Sequence, residues 1–350
     1  MLFKQIILHM VDRFNKERTI AAPFHMIRGK RSGQTIQDVK VYNLTKYFSL
    51  FPKLTKQSYD QVIQQMIQIG WITVNEMSVP QITEVGKQKL YEMPSLKLNG
   101  WLFRGNERIF LQRLSLVTQT LSHVNAENLS FVPVQKDEKI HSWVRQYLHS
   151  FPYKSDEFIR SYYQELKTVF HSDNLSNIHV TILSHRLSGY RVSGVTWQQL
   201  SQELKEEQVD LQILLNESLH ILLDEISTNN MLVLLSKMSE GIKPTTPLTE
   251  SAKRTADLHQ QGYSFDQIIS LRHLKKSTIE DHFVEMAMND PLFSIQLFFE
   301  NEDILMLIQE VKNQSTNKLR TLKEVFPNFS YFQLRLLLAG RGELIDIESS

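Results

Sequence analysis

Along nearly the whole chain apolar residues recur at intervals of three and four, the period of a helix buried on one face. Almost nowhere do they alternate at the interval of two that a half-buried strand requires. The pattern starts at once: Phe3, Ile6, Ile7, Met10, Val11 and Phe14 share one face of MLFKQIILHMVDRF. That spacing predicts an amphipathic helix packed into the first domain rather than one lying on a membrane. KDEKIHSWVRQYLHSF, SDEFIRSYYQELKTVF and WQQLSQELKEEQVDLQILLNESLHILLDEI repeat the helical period. The period changes only around WITV and VPQI, short β-prone runs joined by a polar turn. A mainly α fold with one small hairpin follows.

At 350 residues the chain exceeds one ordinary core, and two or three domains are expected. Its 41% hydrophobic and 22% charged content is that of a globular protein, not a disordered one. With no cysteine, disulfides and thiolate metal sites are excluded, and nothing argues for an oxidising compartment. Lys4, His9 and Asp12 interrupt the first helix, and no run of 18 apolar residues exists. Neither a leader nor a membrane partner is therefore expected, and the expected location is cytoplasmic.

Breakers divide the chain into a first domain at 1–95, a helical middle at 96–240, a linker at 241–250 (GIKPTTPLTE) and a last domain at 251–345. In the first, Gly29 and Gly33 flank a basic loop, and a helix is expected from near Thr35 to Pro52, with Ile36, Val39, Leu44, Tyr47 and Phe48 on one face. KQSYDQVIQQMIQIG is a second helix, buried along Val62, Ile63, Met66, Ile67 and Ile69 and capped by Gly70, with Gln61, Gln64, Gln65 and Gln68 outward. Helices followed by a hairpin and Ile-Thr-x-x-Gly make a winged helix. In the last domain, Ser264 and Gln267 form a capping box. The turn at His273-Leu274 then leads to a helix from Lys276 to Met288, and NDP at 289–291 breaks the chain. KLRTLKEVF and SYFQLRLLLAGR form a further helical pair.

No catalytic constellation stands out. The phosphate loop, the dinucleotide fingerprint and the His-Glu-x-x-His zinc motif are all missing. His171 and His179, with Asp173 between them, read as a surface loop rather than a metal site. A non-enzymatic protein without cofactor or metal is expected.

Charge points to a polyanion. Residues 1–57 carry 11 Lys and Arg against 3 Asp and Glu, in a chain whose net charge is only +1. One end thus meets an anionic partner, or else docks on the acidic remainder. Glu203, Glu206, Glu207 and Asp210 belong to that remainder and read as a solvated helix face. Arg28, Lys30 and Arg31 on the basic loop, and Lys46, Lys53 and Lys56 near the start of the glutamine-faced helix, are the candidates for DNA phosphates. The last domain has the shape of a DNA reader but a poorly suited surface, with 11 basic against 13 acidic residues across 247–345. In its helix after the turn, Ile279, Phe283, Met286 and Ala287 form the core face. Lys276, Ser277, Glu280, Asp281 and Glu285 are left to solvent. Lys275, Lys276 and Ser277 are its candidate contacts.

Two stretches resemble known modules. GKRSGQTIQDVKVYNLTKYFSLFPKLTKQSYDQVIQQMIQIGWI…ITEVGKQKL is similar to the winged helix that follows the core of RecQ-type helicases. TADLHQQGYSFDQIISLRHLKKSTIEDHFVEMAMND…SYFQLRLLLAGR resembles the helix-turn-helix domain at the C-terminus of many such enzymes. Together they cover roughly half the chain, and the helicase motor and its zinc site are missing. The arrangement resembles the YpbB-like family, stand-alone proteins encoded beside a short RecQ-type helicase. The resemblance implies a helicase accessory factor supplying DNA-engaging domains in trans. It implies fork contacts by Lys53, Lys56, Gln57 and Ser58 at the helix start and by Asn75 to Val79 in the wing. The wing is short, with Glu76 in place of a basic or aromatic tip.

The expected function is therefore DNA binding as a nucleoid-associated partner of a RecQ-type helicase in repair or recombination, with fragment 1–95 carrying the affinity. The rival expectations are a transcription regulator with a sequence-specific dimeric site and a protein-interaction scaffold without DNA affinity.

Overall fold

The computed structural model describes residues 1–244, 246–290, 293–299 and 303–340. Thr245 of the expected linker, Pro291 of the NDP break and residues 341–345 of the expected last domain lie outside the described residues. In chain order the winged-helix part comprises α1 (Leu2–Phe14), α2 (Ala21–Ile27), α3 (Gly33–Val41), α4 (Lys56–Gln68), β1 (Ile72–Val74), β2 (Pro80–Ile82) and α5 (Glu84–Tyr91). The middle holds α6 (Gly100–Phe103), α7 (Glu107–Asn125), α8 (Glu138–His149), α9 (Asp156–Phe170), α10 (Asn177–His185), α11 (Trp197–Leu204), α12 (Gln208–Thr228) and α13 (Val233–Ser239). The last part holds α14 (Glu250–Gln260), α15 (Phe265–Arg272), α16 (Lys276–Asn289), α17 (Ile304–Asn313), α18 (Leu319–Val325) and α19 (Tyr331–Gly340). The protein is mostly helical with a small hairpin, as its periodicity predicts.

Contacts divide the chain into two compact units: Met1–Ile6 with Glu92–Pro244, and Ile7–Tyr91 with the described part of Thr245–Ser350. The first unit is built on α12, where Leu211, Ile213, Leu219 and Leu222 are sealed from solvent among α7, α9, α10, α11 and α13. The single long helix expected over 197–226 is two, because Lys205 takes a left-handed φ of 56° and ends α11. Asp210 does not lie on a solvated face as expected. It is 1% exposed, and its carboxylate accepts from the amides of Leu2 (3.0 Å) and Phe3 (2.9 Å), satisfying donors that α1 cannot satisfy itself. Glu165 likewise accepts from the amides of Leu234 and Leu235 at the start of α13. His179 is buried and faces Glu217 at 3.2 Å, so it is no part of a surface loop.

In the second unit, Gly70 ends α4 with φ of 71° and turns the chain into β1. The hairpin pairs Ile72 with Ile82 and Val74 with Pro80. Gly86 is dictated by space: a Cβ there would stand 2.2 Å from the Trp71 carbonyl oxygen. The helix expected from Thr35 to Pro52 stops at Val41, because Asn43 adopts φ of 54° and a short 3-10 turn follows. In α4 the buried line is Tyr59, Ile63 and Met66, not the expected stripe; Val62 and Ile67 are half-buried and Ile69 is half exposed.

The winged helix shares its unit with the C-terminal helices. α16 packs against α3, α14 and α19, and α19 against α3 and α17. Phe283 on α16 centres an aromatic cluster, with the rings of Phe298, Phe265 and Phe293 at 5.3, 5.4 and 5.8 Å. Polar contacts tie the same elements. Arg335 of α19 donates to Gln37 of α3 (2.8 Å) and meets Asp281 of α16 at 2.6 Å. Glu17 accepts from the Tyr42 hydroxyl (2.7 Å) and the Asn317 amide (3.1 Å). A fragment 1–95 would lack these partners.

Candidate nucleic-acid interface

The α2–α4 corner holds the largest share of the expected contacts. Between Arg18 and Tyr59 there are eight Lys and Arg and a single acid, Asp38. Arg18 holds that carboxylate by two hydrogen bonds, Nε to Oδ2 at 2.8 Å and Nη2 to Oδ1 at 2.7 Å. Burial still pushes the Asp38 carboxyl above its usual range. The remaining cations are left with little internal compensation.

Phe24 of α2 and Tyr59 of α4 stack beneath them with centroids 5.3 Å apart, both buried. The Arg28 guanidinium lies 5.3 Å from the Phe24 ring, and the Lys56 ammonium lies 5.9 Å from Phe24 and 5.7 Å from Tyr59. Ring faces attract cations and limit how far the long side chains roam. Arg28 Nε also donates to the Pro52 carbonyl (3.4 Å), next to exposed Lys53. His25 senses the cluster directly: burial lowers its pKa first, then the charges of Lys30, Arg28 and Lys56. The structure therefore brings Arg28, Lys30 and Lys56 together around one residue.

Other expected contacts are placed differently. The Lys46 ammonium stands 4.9 Å from the Tyr47 ring. With burial and Arg13, it holds His9 down at about 4. Thr55 caps α4 by accepting from the Ser58 amide at 3.1 Å, and Gln57 and Ser58 are exposed beside it. Lys56 pairs with Asp60 one turn on. An open hollow beyond is lined by Gln57, Asp60, Gln61, Gln64, Gln65 and Gln68, amides that can donate and accept at base edges. The wing is braced rather than free: the Ser78 carbonyl accepts from the Ile20 amide (2.9 Å), while Glu76 and Met77 stay exposed.

In the C-terminal part Lys275, Lys276 and Ser277 are exposed, but the rest of α16 is not a free reading face. His282, Phe283, Val284, Glu285, Met286 and Ala287 are all buried. Six consecutive buried residues span every direction around a helix. Glu285, expected on the solvent face, is 4% exposed and accepts from the Thr249 amide and hydroxyl, capping α14. Asp281 is bound by Arg335. The periodicity of α16 could have hinted at this, since Val284 lies off the expected core face. Which elements cover it could not have been foreseen from local spacing.

Among the described residues no cluster of His, Cys, Asp or Glu is arranged to hold a metal ion, and no helix is long and apolar enough to cross a membrane. Residues 251–338 match a family described as a helix-turn-helix domain. The chain is similar to Protein YpbB of Bacillus subtilis (strain 168), 29% identical over 351 residues, covering 98% of this chain and 99% of that one. The matched domain is a binding fold rather than a catalytic one, and the relative's name states no activity. No solved structure matches the chain.

Proposed function

We propose that the protein binds the phosphate backbone of DNA through the α2–α4 corner and serves as an accessory factor of a RecQ-type helicase in repair or recombination. The observation that carries the binding is the concentration of Arg28, Lys30 and Lys56 around Phe24 and His25, in a stretch whose one carboxylate is already paired. Phosphates at such a corner replace condensed counterions, so affinity is set by salt more than by sequence. Exposed glutamines on α4 add polar contacts to base edges. The helicase pairing rests on the likeness of both modules to RecQ-type domains and on full-length similarity to YpbB.

The test uses the full chain. R28E/K30E/K56E should lose most affinity for a forked duplex in fluorescence anisotropy while keeping its circular dichroism spectrum. Unchanged binding by that variant refutes the interface. Addition of the wild-type protein to a short RecQ-type helicase should raise its unwinding rate, and no effect at saturating protein refutes the accessory role. A motif recovered by selection from random duplexes would replace this reading with that of a transcription regulator.

A further inference from the structure

The basic loop before α3 and the lysine turn before α16 are far apart in sequence but border one groove. Arg31, Ser32 and Gly33 line it together with Thr249, Glu250, Ser251, Thr278, Asp281 and His282, around a volume of about 430 Å³. The approach is close because Gly33 lacks a side chain: a Cβ there would fall 2.4 Å from Asp281 Cγ. Lys275, Lys276 and Ser277 lie in the turn immediately before Thr278, all exposed.

We propose that this groove and the lysine turn beside it contact the phosphate backbone of the same DNA that the α2–α4 corner holds. The two DNA-binding folds would then present one composite surface. This inference rests on the proposed function and deepens it. Two of the carboxylates near the groove are already engaged, Asp281 with Arg335 and Glu285 with Thr249, which leaves Glu250 and Glu280. Neither Lys275 nor Lys276 forms an ion pair among the described residues. Two lysines at the start of a helix oppose its positive end, an arrangement that an anion between them relieves. His282 adds a buried donor. Arg272 donates to the Thr255 hydroxyl (2.8 Å), which in turn donates to His282 Nδ1 (2.8 Å), leaving the proton on Nε2 of a ring that lines the groove.

Three full-length variants decide the matter in a salt series with a duplex probe: K275A/K276A, R31A, and K136A/K139A as a control of equal charge in the other unit. Each lost phosphate contact lowers the slope of log K against log salt by about 0.9, roughly eightfold in affinity at 0.1 M salt. K275A/K276A should therefore bind about sixtyfold more weakly at that salt, R31A about eightfold, and the control should match wild type. A wild-type slope for K275A/K276A, with binding still lost in R28E/K30E/K56E, overturns the composite surface and leaves the corner intact. An equal loss in the control means net charge alone is read, and likewise overturns it. No binding by the wild-type chain at low salt defeats both readings.

Discussion

Replacing Gly33 with alanine tests whether α3 and α16 are built to touch. On an isolated first helical turn the change is favourable by up to about 1 kcal/mol, because glycine is the poorer helix former. Here the new Cβ would lie 2.4 Å from Asp281 Cγ and Oδ1 and 2.6 Å from Oδ2, far inside van der Waals contact. The Asp281 carboxylate has to swing away, and doing so breaks its pair with Arg335, whose side chain is 15% exposed. A mostly buried guanidinium deprived of a partner costs about 1–3 kcal/mol. The net expectation for G33A is a loss of about 1–2 kcal/mol, opposite in sign to the isolated-helix effect. Urea unfolding of the full chain followed by circular dichroism measures it, with amide exchange across 33–41 locating the change. In a D281A background the same substitution should become neutral or stabilising. A G33A protein as stable as wild type, or more so, refutes the packing argument.

Asp210→Ala should destabilise the first unit by about 2–4 kcal/mol, since two buried amides lose their acceptor; a thermal midpoint within a degree of wild type would contradict the cap assigned to it. Acidification should erode stability through His282 and His9. Burial, with Arg272 beside one and Lys46 and Arg13 beside the other, holds each at about 4 in the folded chain. The unfolded chain therefore takes up the protons first, and stability falls as pH drops from about 6.5 towards 4. A His282→Gln variant should show a shallower decline, and an identical pH profile would remove His282 from the account. Asp60→Asn frees Lys56 and removes a negative charge from the corner, so DNA should bind up to about eightfold more tightly at 0.1 M salt; weaker binding would place the carboxylate in contact with a base instead.

Local chemistry was legible where it is written within a few residues. Ser264 with Gln267, the left-handed glycine at 70, the paired runs around residue 75 and Thr83 before Gly86 all act within one turn, and the structure places them as spacing predicts. Long-range electrostatics was not legible. Asp210, Glu165, Glu285 and Glu17 are ordinary acidic residues by composition, yet each accepts from backbone amides at least 36 positions away. Periodicity says which face of a helix is buried but not which end of another helix its carboxylates will meet. The same gap explains α16. Its core face followed from spacing, whereas burial of the opposite face depends on α3, which lies more than two hundred residues earlier. The basic corner was read from charge, but its order comes from Phe24 and Tyr59, which sequence assigned to no role.

The most direct test of the central claim is the salt dependence of DNA binding by the intact wild-type protein, measured by anisotropy on a forked duplex from 50 to 300 mM salt. Contacts by Arg28, Lys30 and Lys56 alone predict a slope of about −2.7 in log K against log salt, and steeper if the composite groove takes part. A flat dependence, or no binding at the lowest salt, would contradict the account and assign the basic corner to protein contacts.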